Sequence, residues 1–447
     1  GSADAWPVRC PAELLRRGPA IPRLARLDGR EAQELLCEGR AFVAPMEGLL
    51  GDRLRKWDFA YLREHLPAEQ KYGVMLDEGS GKIVMSHSAR NGERQVDMGA
   101  VAQGGASEAG DSAKGADAAF GTSDQTRMTF SEFLAEAERY RGGGGAGKLP
   151  YFGLHLLWRF KPEENGYLGN IDQEMADDIW SIRFDLIKEW QEQNVLPLVQ
   201  RFYLFAGLGG TLYHCHYDLQ PNLHVQLSGR KRFILFPPDQ WPSLYPFPVH
   251  HDLDRRSMVD LDAPDGSRFP RWRGARGTVV ELEPGDALYI PPFWWHHVQS
   301  LTPETTSMAM WFFEFFPLSA GELYGVGPLA SDVVLMRNIE ELVAKYFPDA
   351  PGEEDCTKSR PIKAGDVAAF MRWLRLRLDF GPGVAGEPRC SDEDRATLER
   401  LTAPAEEVCA AVLRFVGLQG KADSPGERGA ARAAAPAKVV SLLEGRF

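Results

Sequence analysis

The sequence predicts a mainly β fold with flanking α-helices, built around one barrel, and three observations carry that expectation. Between Tyr151 and about Phe316 the chain is rich in aromatic and β-branched residues and is broken by Gly and Pro at short intervals, as short strands joined by tight turns require. Within it, runs at 197–205, 211–218, 222–227, 231–236, 278–282, 287–290, 296–300 and 306–313 have strand character, enough to close a barrel. Beyond Leu318 the period changes: Val333, Met336, Ile339, Leu342, Val343 and Phe347 recur at three and four until Pro348, which is a helical repeat with a stop.

The flanking pieces follow in order. A strand is expected at 41–44 and a helix at 52–66, whose Leu54, Trp57, Phe59, Tyr61, Leu62 and Leu66 form an apolar face. From about 86 to 125 the composition collapses to Gly, Ala, Ser and Asp, too polar and small to bury a core, so a disordered insertion is expected. An amphipathic helix at 129–141 and a Gly run at 142–145 lead into the β region, which a helix at 172–194 interrupts. Helices are expected at 364–378, 405–416 and 439–443, with a biased stretch at 421–437. The organisation is therefore a mixed α/β region over 1–150, a barrel over 151–317, and a helical region with inserts over 318–447.

At 447 residues with 44% hydrophobic content the chain can bury a sizeable core. Its 51 basic against 63 acidic residues give a net charge of -12, which disfavours a nucleic-acid partner. Cys10, Cys37, Cys215, Cys356, Cys390 and Cys409 stand singly, the pattern of a reducing compartment rather than a disulfide framework. No apolar run is long enough to span a membrane and no leader pattern opens the chain, so cytoplasm or nucleus is expected.

Chemistry concentrates in Tyr213-His214-Cys215-His216-Tyr217-Asp218. Simple strand alternation puts His214, His216 and Asp218 on one face. Two His and one carboxylate on one side of a metal, with three positions open, is the arrangement of non-haem Fe(II) oxygenases, and His216 and Asp218 supply two of the three. The third comes from Pro284-Gly285-Asp286 through Pro291-Pro292-Phe293-Trp294-Trp295-His296-His297. The spacing of Gly285, Pro291 and His296 follows the second cupin motif, with Phe293 in place of its Gly. It selects His296 over His297, because adjacent strand residues face opposite ways. Lys231, on a strand after the Ser228-Gly229 turn, is a cation suited to the distal carboxylate of a dicarboxylate; a solvated basic turn, Arg230-Lys231-Arg232, is the competing reading. Asn222 and Tyr151 carry the same ambiguity.

These residues resemble the JmjC-type protein hydroxylases and, within them, asparaginyl hydroxylases of the type of factor inhibiting hypoxia-inducible factor. The likeness lies in His216-Tyr217-Asp218, in Gly229-x-Lys231-Arg232-x-Ile234 through Gln240, in Leu244-Tyr245-Pro246-x-Pro248-Val249-His250-His251, and in Asp254-Arg255 through Trp294-Trp295-His296-His297. Outside the barrel it continues at Met336-Arg337-Asn338-Ile339-Glu340 and at Gly445-Arg446-Phe447. The resemblance implies a double-stranded β-helix, the cupin/JmjC jelly roll, with Fe(II) on His216, Asp218 and His296 and with 2-oxoglutarate and O2 as cosubstrates. It implies that Lys231 and Tyr151 hold the distal carboxylate, that Asn222 and Tyr213 lie beside the cosubstrate, and that Arg255 lies at the substrate face. A protein or peptide substrate, hydroxylated on Asn, and a homodimer through the C-terminal helices are implied as well.

The departures are specific. Tyr213 stands where that family has Thr, Trp311 where it has Asn, Phe313 where it has Trp, and Arg256 where a Gln contacts the target amide. Gln both donates and accepts, whereas Arg only donates. An acceptor-rich target such as Asp is therefore expected, or an Arg256 turned away. The rival readings are a JmjC lysine demethylase or ribosomal-protein hydroxylase, a simple cupin using His214, His216 and Gln220, and a non-catalytic binding barrel.

Overall fold

The computed structural model describes residues 9–10, 15–77, 81–84, 123–143, 147–158, 167–168, 170–193, 195–197, 199–247, 253–312 and 333. Its strands are β1 (Arg16–Arg17), β2 (Phe42–Pro45), β3 (Tyr72–Asp77), β4 (Lys82–Ile83), β5 (Asp124–Met128), β6 (Leu149–Trp158), β7 (Tyr167–Leu168) and β8 (Val199–Leu208). They continue as β9 (Leu212–Tyr217), β10 (Asn222–Ser228), β11 (Lys231–Phe236), β12 (Arg276–Leu282), β13 (Asp286–Ile290), β14 (Trp295–Ser300) and β15 (Glu304–Phe312). Two sheets result. The smaller runs β1-β12-β11-β14-β9-β4 and the larger β2-β13-β10-β15-β8-β6-β3-β5, with β7 on β6. The fold is mainly β with flanking helices, consistent with a jelly roll, and the strands foreseen from 199 to 312 are all present.

The helices that precede β8 pack on the outer face of the larger sheet. Trp57, Leu62, Phe133, Ile187 and Trp190 join Phe152, Phe202 and Met310 in one apolar core. Between the sheets, Phe233 and Leu235 of the smaller meet Val43, Leu288 and Ile290 of the larger, filling one part of the barrel and leaving the rest for the site.

Local chemistry explains where the expected helices end. The helix over 52–66 is two pieces, a 3-10 turn at Arg53–Lys56 and an α-helix at Phe59–His65, because the Asp58 side chain accepts the Tyr61 N–H at 2.9 Å and starts a new helix there. The one over 172–194 splits into Gln173–Trp180 and Phe184–Glu192; between them the Arg183 N–H leaves the helical ladder for Leu49 O, at 2.9 Å. The helix at 129–141 runs Phe130–Gly142 under a reciprocal capping box of Thr129 and Glu132. Not foreseen were β3, β5 and β6, which extend the larger sheet, nor the two-residue β1, β4 and β7; the start of β5 overlaps the end of the expected insertion. The remainder of that insertion and the C-terminal helices lie outside the described residues, Val333 apart.

Candidate active site

The centre of the smaller sheet is irregular where it matters. β9 and β14 pair Tyr217 with Trp295 and His216 with His296, then Tyr213 with Val298, so His214 and Cys215 together oppose His297. This is a β-bulge, one extra residue on one strand. It overturns the simple alternation expected from the sequence. His214 is not on the face of His216: its Nε2 meets the Ser257 carbonyl at 2.7 Å, and its ring lies 6.3 Å from that of His297. The bulge also lets Tyr213 and His216 face one way, and both line a cavity of about 140 Å³ between the sheets.

His216, Asp218 and His296 converge on that cavity, their candidate ligand atoms all within 4.8 Å of one another. Register does most of this, since His216 and His296 are direct cross-strand partners and their rings lie 4.1 Å apart. His296 Nε2 stands 3.9 Å from Asp218 Oδ2. Each imidazole is oriented by its own backbone: His216 Nδ1 meets the His214 carbonyl at 2.8 Å and His296 Nδ1 the Trp294 carbonyl at 3.0 Å. A carbonyl only accepts, so both Nδ1 atoms carry the proton and both Nε2 lone pairs point inward. Burial holds both rings neutral, with the pKa of His216 well below 6.5 and that of His296 lowered. Two neutral imidazoles and a carboxylate fit Fe(II).

The turn that delivers His296 has a cost. Phe293 has φ 65, the left-handed region where the second cupin motif places Gly. Its N–H donates to the Asp218 carbonyl at 2.8 Å and its ring lies 5.8 Å from that of Tyr217, so the strained residue ties one ligand loop to the other. His297 points away from the cavity, 3.9 Å from Asp262, as strand parity expects.

At the cavity's far end Lys231 is 2% exposed. Its Nζ donates to Ser307 Oγ at 2.7 Å and to the Tyr151 hydroxyl at 3.4 Å, and no carboxylate among the described residues pairs with it. Desolvation alone pulls its pKa from 10.5 to about 7. The solvated basic turn is thus not what forms: Lys231 is buried, and Arg232 donates to the Arg9 and Cys10 carbonyls. Tyr151 stays in place because Gly207 opposes it; a Cβ there would meet the ring at 2.7 Å. A buried ammonium with no counter-charge among the described residues is a fit for an incoming carboxylate.

The other expected residues also reach the cavity. Asn222 lines it with its Oδ1 buried and without a hydrogen-bond partner among the described residues, and Tyr213 packs 4.8 Å from the His216 ring. Arg255 and Arg256 arrive on a segment that pairs with β9, with His216 bridged to Arg256. Arg256 is 2% exposed, lines the cavity and stacks 5.5 Å from the Tyr213 ring, so it is not turned away. Arg255, at φ 65, lies 3.8 Å from Asp254. Missed in the sequence were Arg201, Tyr203 and His224 on the opposite wall. Alternation along β8 and β10 from Phe205 and Asn222 could have found them. Gln220 lines the cavity too, but its expected companion His214 does not.

A family model described as the cupin-like domain matches residues 54–317. Over shorter stretches the chain is 41% identical across 110 residues to HSPB1-associated protein 1 of Bos taurus, 24% of this chain and 23% of that protein. It is 40% identical across 87 residues to Lysine-specific demethylase JMJ31 of Arabidopsis thaliana, 19% of this chain and 16% of that one. With tRNA wybutosine-synthesizing protein 5 of Gallus gallus it shares 28% over 151 residues, 33% of this chain and 46% of that protein. The chain thus spans less than half the length of each of these relatives. The family match, in contrast, covers more than half of this chain and spans strands β3 to β15, which carry the cavity: the protein belongs to the cupin-like domain family.

Proposed function

We propose that the protein is a JmjC-type oxygenase that uses Fe(II), 2-oxoglutarate and O2 to hydroxylate a side chain of a protein substrate. One observation carries this reading: His216, Asp218 and His296 converge at one end of a cavity whose other end holds a buried ammonium with no acidic partner among the described residues, Lys231. A dicarboxylate spans such a site, one end at the metal and the other on the ammonium. Bound Fe(II) supplies the centre at which O2 is reduced while 2-oxoglutarate is oxidised to succinate and CO2, the second oxygen atom entering the substrate C–H bond.

The chain's own residues bind and orient. Lys231 and the Tyr151 hydroxyl hold the distal carboxylate, with Ser307 keeping the ammonium aimed. Asn222 offers an amide beside the cosubstrate. Tyr203, Phe205 and Phe233 wall the cavity and exclude water from the reacting end. Arg255 and Arg256 form the substrate face. Arg256 can only donate, which favours a target side chain that accepts, Asp ahead of Asn, with His a further candidate.

A demethylase reading has the Arabidopsis relative's name behind it, and an RNA reading the avian one's, but the net charge of -12 opposes a polyanion. A homodimer through the helices expected beyond 318 and a cytoplasmic or nuclear location complete the proposal. Incubation with Fe(II), 2-oxoglutarate and peptides bearing Asn, Asp, His or methyl-lysine tests it by mass spectrometry. An added oxygen atom on an Asp, Asn or His peptide is expected; formaldehyde release from methyl-lysine alone assigns the demethylase.

A further inference from the structure

Trp311 is an indole where a small polar residue would leave the cavity wider, and its contacts give it a task. Its Nε1–H donates to Asp218 Oδ2 at 3.0 Å, reaching from β15 of the larger sheet to the end of β9 in the smaller. The ring is held firmly. In register it sits between Arg201 on β8 and Asn222 on β10; the Arg201 guanidinium lies 4.6 Å over it, and Tyr203 and Phe205 meet it edgewise at 6.0 Å. Asp218 is held differently. It lies one residue past the end of β9, anchored there by its carbonyl, which accepts the Phe293 N–H at 2.8 Å.

We propose that Trp311 is a positioning residue for the Asp218 carboxylate, fixing its rotation so that it offers a metal ion one oxygen and leaves the remaining positions open. The inference rests on the metal reading above. An N–H taken by Oδ2 restrains the carboxylate's rotation and occupies one lone pair, disfavouring two-oxygen chelation, which would close a position that cosubstrate or O2 needs. Because the donor belongs to the opposite sheet, the bond also staples the two sheets across the reacting end of the cavity.

Co(II) titration of the full chain, followed by calorimetry and by the visible d–d absorption, tests this without turnover. Trp311→Phe keeps the ring and the Arg201 stack but removes the N–H. It is expected to weaken Co(II) binding by about 10- to 100-fold, the usual cost of losing an outer partner of a ligand, and to change the absorption. The metal-free unfolding midpoint should fall by no more than one lost hydrogen bond and the smaller ring account for. Trp311→Gln returns an N–H donor without the ring and is expected to recover much of the affinity. Parent-like affinity and absorption in Trp311→Phe overturns the inference, and so does an equal loss in both variants, which assigns the indole to packing alone. A parent that binds no Co(II) overturns the metal reading itself, a result distinct from either.

Discussion

Replacing Lys231 with Met should make the metal-free protein more stable and unable to hold its cosubstrate. The lysine is 2% exposed, its pKa drawn from 10.5 to about 7 by burial. In the unfolded chain the ammonium keeps its ordinary value. Below about pH 7 both states are protonated and the full burial penalty stands; between about pH 7 and 10.5 only the unfolded state holds the extra proton, so stability rises with pH until the penalty is gone. At about 1.4 kcal/mol per pH unit the penalty is on the order of 4–5 kcal/mol below pH 7. Met has a similar stem and no charge, but it leaves the Ser307 hydroxyl without this partner, a loss of about 1–2 kcal/mol. The expected net gain at pH 6.5 is about 2–4 kcal/mol by urea unfolding, shrinking toward zero or below by pH 10. Calorimetric 2-oxoglutarate affinity should fall at least 10-fold with the charge-assisted bond gone. In the parent, a bound carboxylate draws the proton back onto Lys231, so that affinity should weaken as pH rises above about 7. A Lys231→Met protein no more stable than its parent at pH 6.5 would show that burial of the ammonium carries no penalty, and one that binds 2-oxoglutarate equally well would remove Lys231 from the cosubstrate's carboxylate.

Three further outcomes follow from the geometry. His214→Ala should leave Co(II) affinity within about threefold of the parent, because His214 faces Ser257 and not the cavity, while costing about 1–3 kcal/mol of stability for a buried carbonyl left unpaired; loss of metal binding in a folded variant would revive the simple cupin scheme. Gly207→Ala puts a methyl 2.7 Å from the Tyr151 ring, which should cost about 1–3 kcal/mol by overpacking and weaken 2-oxoglutarate binding measurably by calorimetry; undisturbed binding would place Tyr151 outside the cosubstrate's reach. Arg256→Gln should shift preference from Asp toward Asn in paired peptides read by mass spectrometry, by roughly 10-fold or more for one charged hydrogen bond; an unchanged ratio would remove Arg256 from the target contact.

The strands of the barrel were legible because two-residue alternation and Gly or Pro turns survive in the sequence wherever one face is buried. The convergence of His216, Asp218 and His296 was legible because the turn residues before His296 and the parity against His297 are local signals. The bulge at His214 and Cys215 was not, since one extra residue leaves no mark in composition and is decided by which partner strand the chain meets. For the same reason the sequence put His214 on the wrong face. Trp311 was legible as a departure, but its bond to Asp218 joins residues from two sheets, and no local pattern encodes that. The break at Asp58 could have been read from its capping chemistry; the apolar face running through Trp57 and Phe59 concealed it.

In the proposed reaction His216, Asp218 and His296 hold a metal at which 2-oxoglutarate is consumed. Its most direct test is succinate formation from 2-oxoglutarate by the full chain under air, with and without added Fe(II), beside Asp218→Ala. Succinate that depends on Fe(II), is lost on chelation and is absent in a folded Asp218→Ala is the expected result. No Fe(II)-dependent succinate from the parent, with or without peptide, or undiminished succinate from Asp218→Ala, would contradict it.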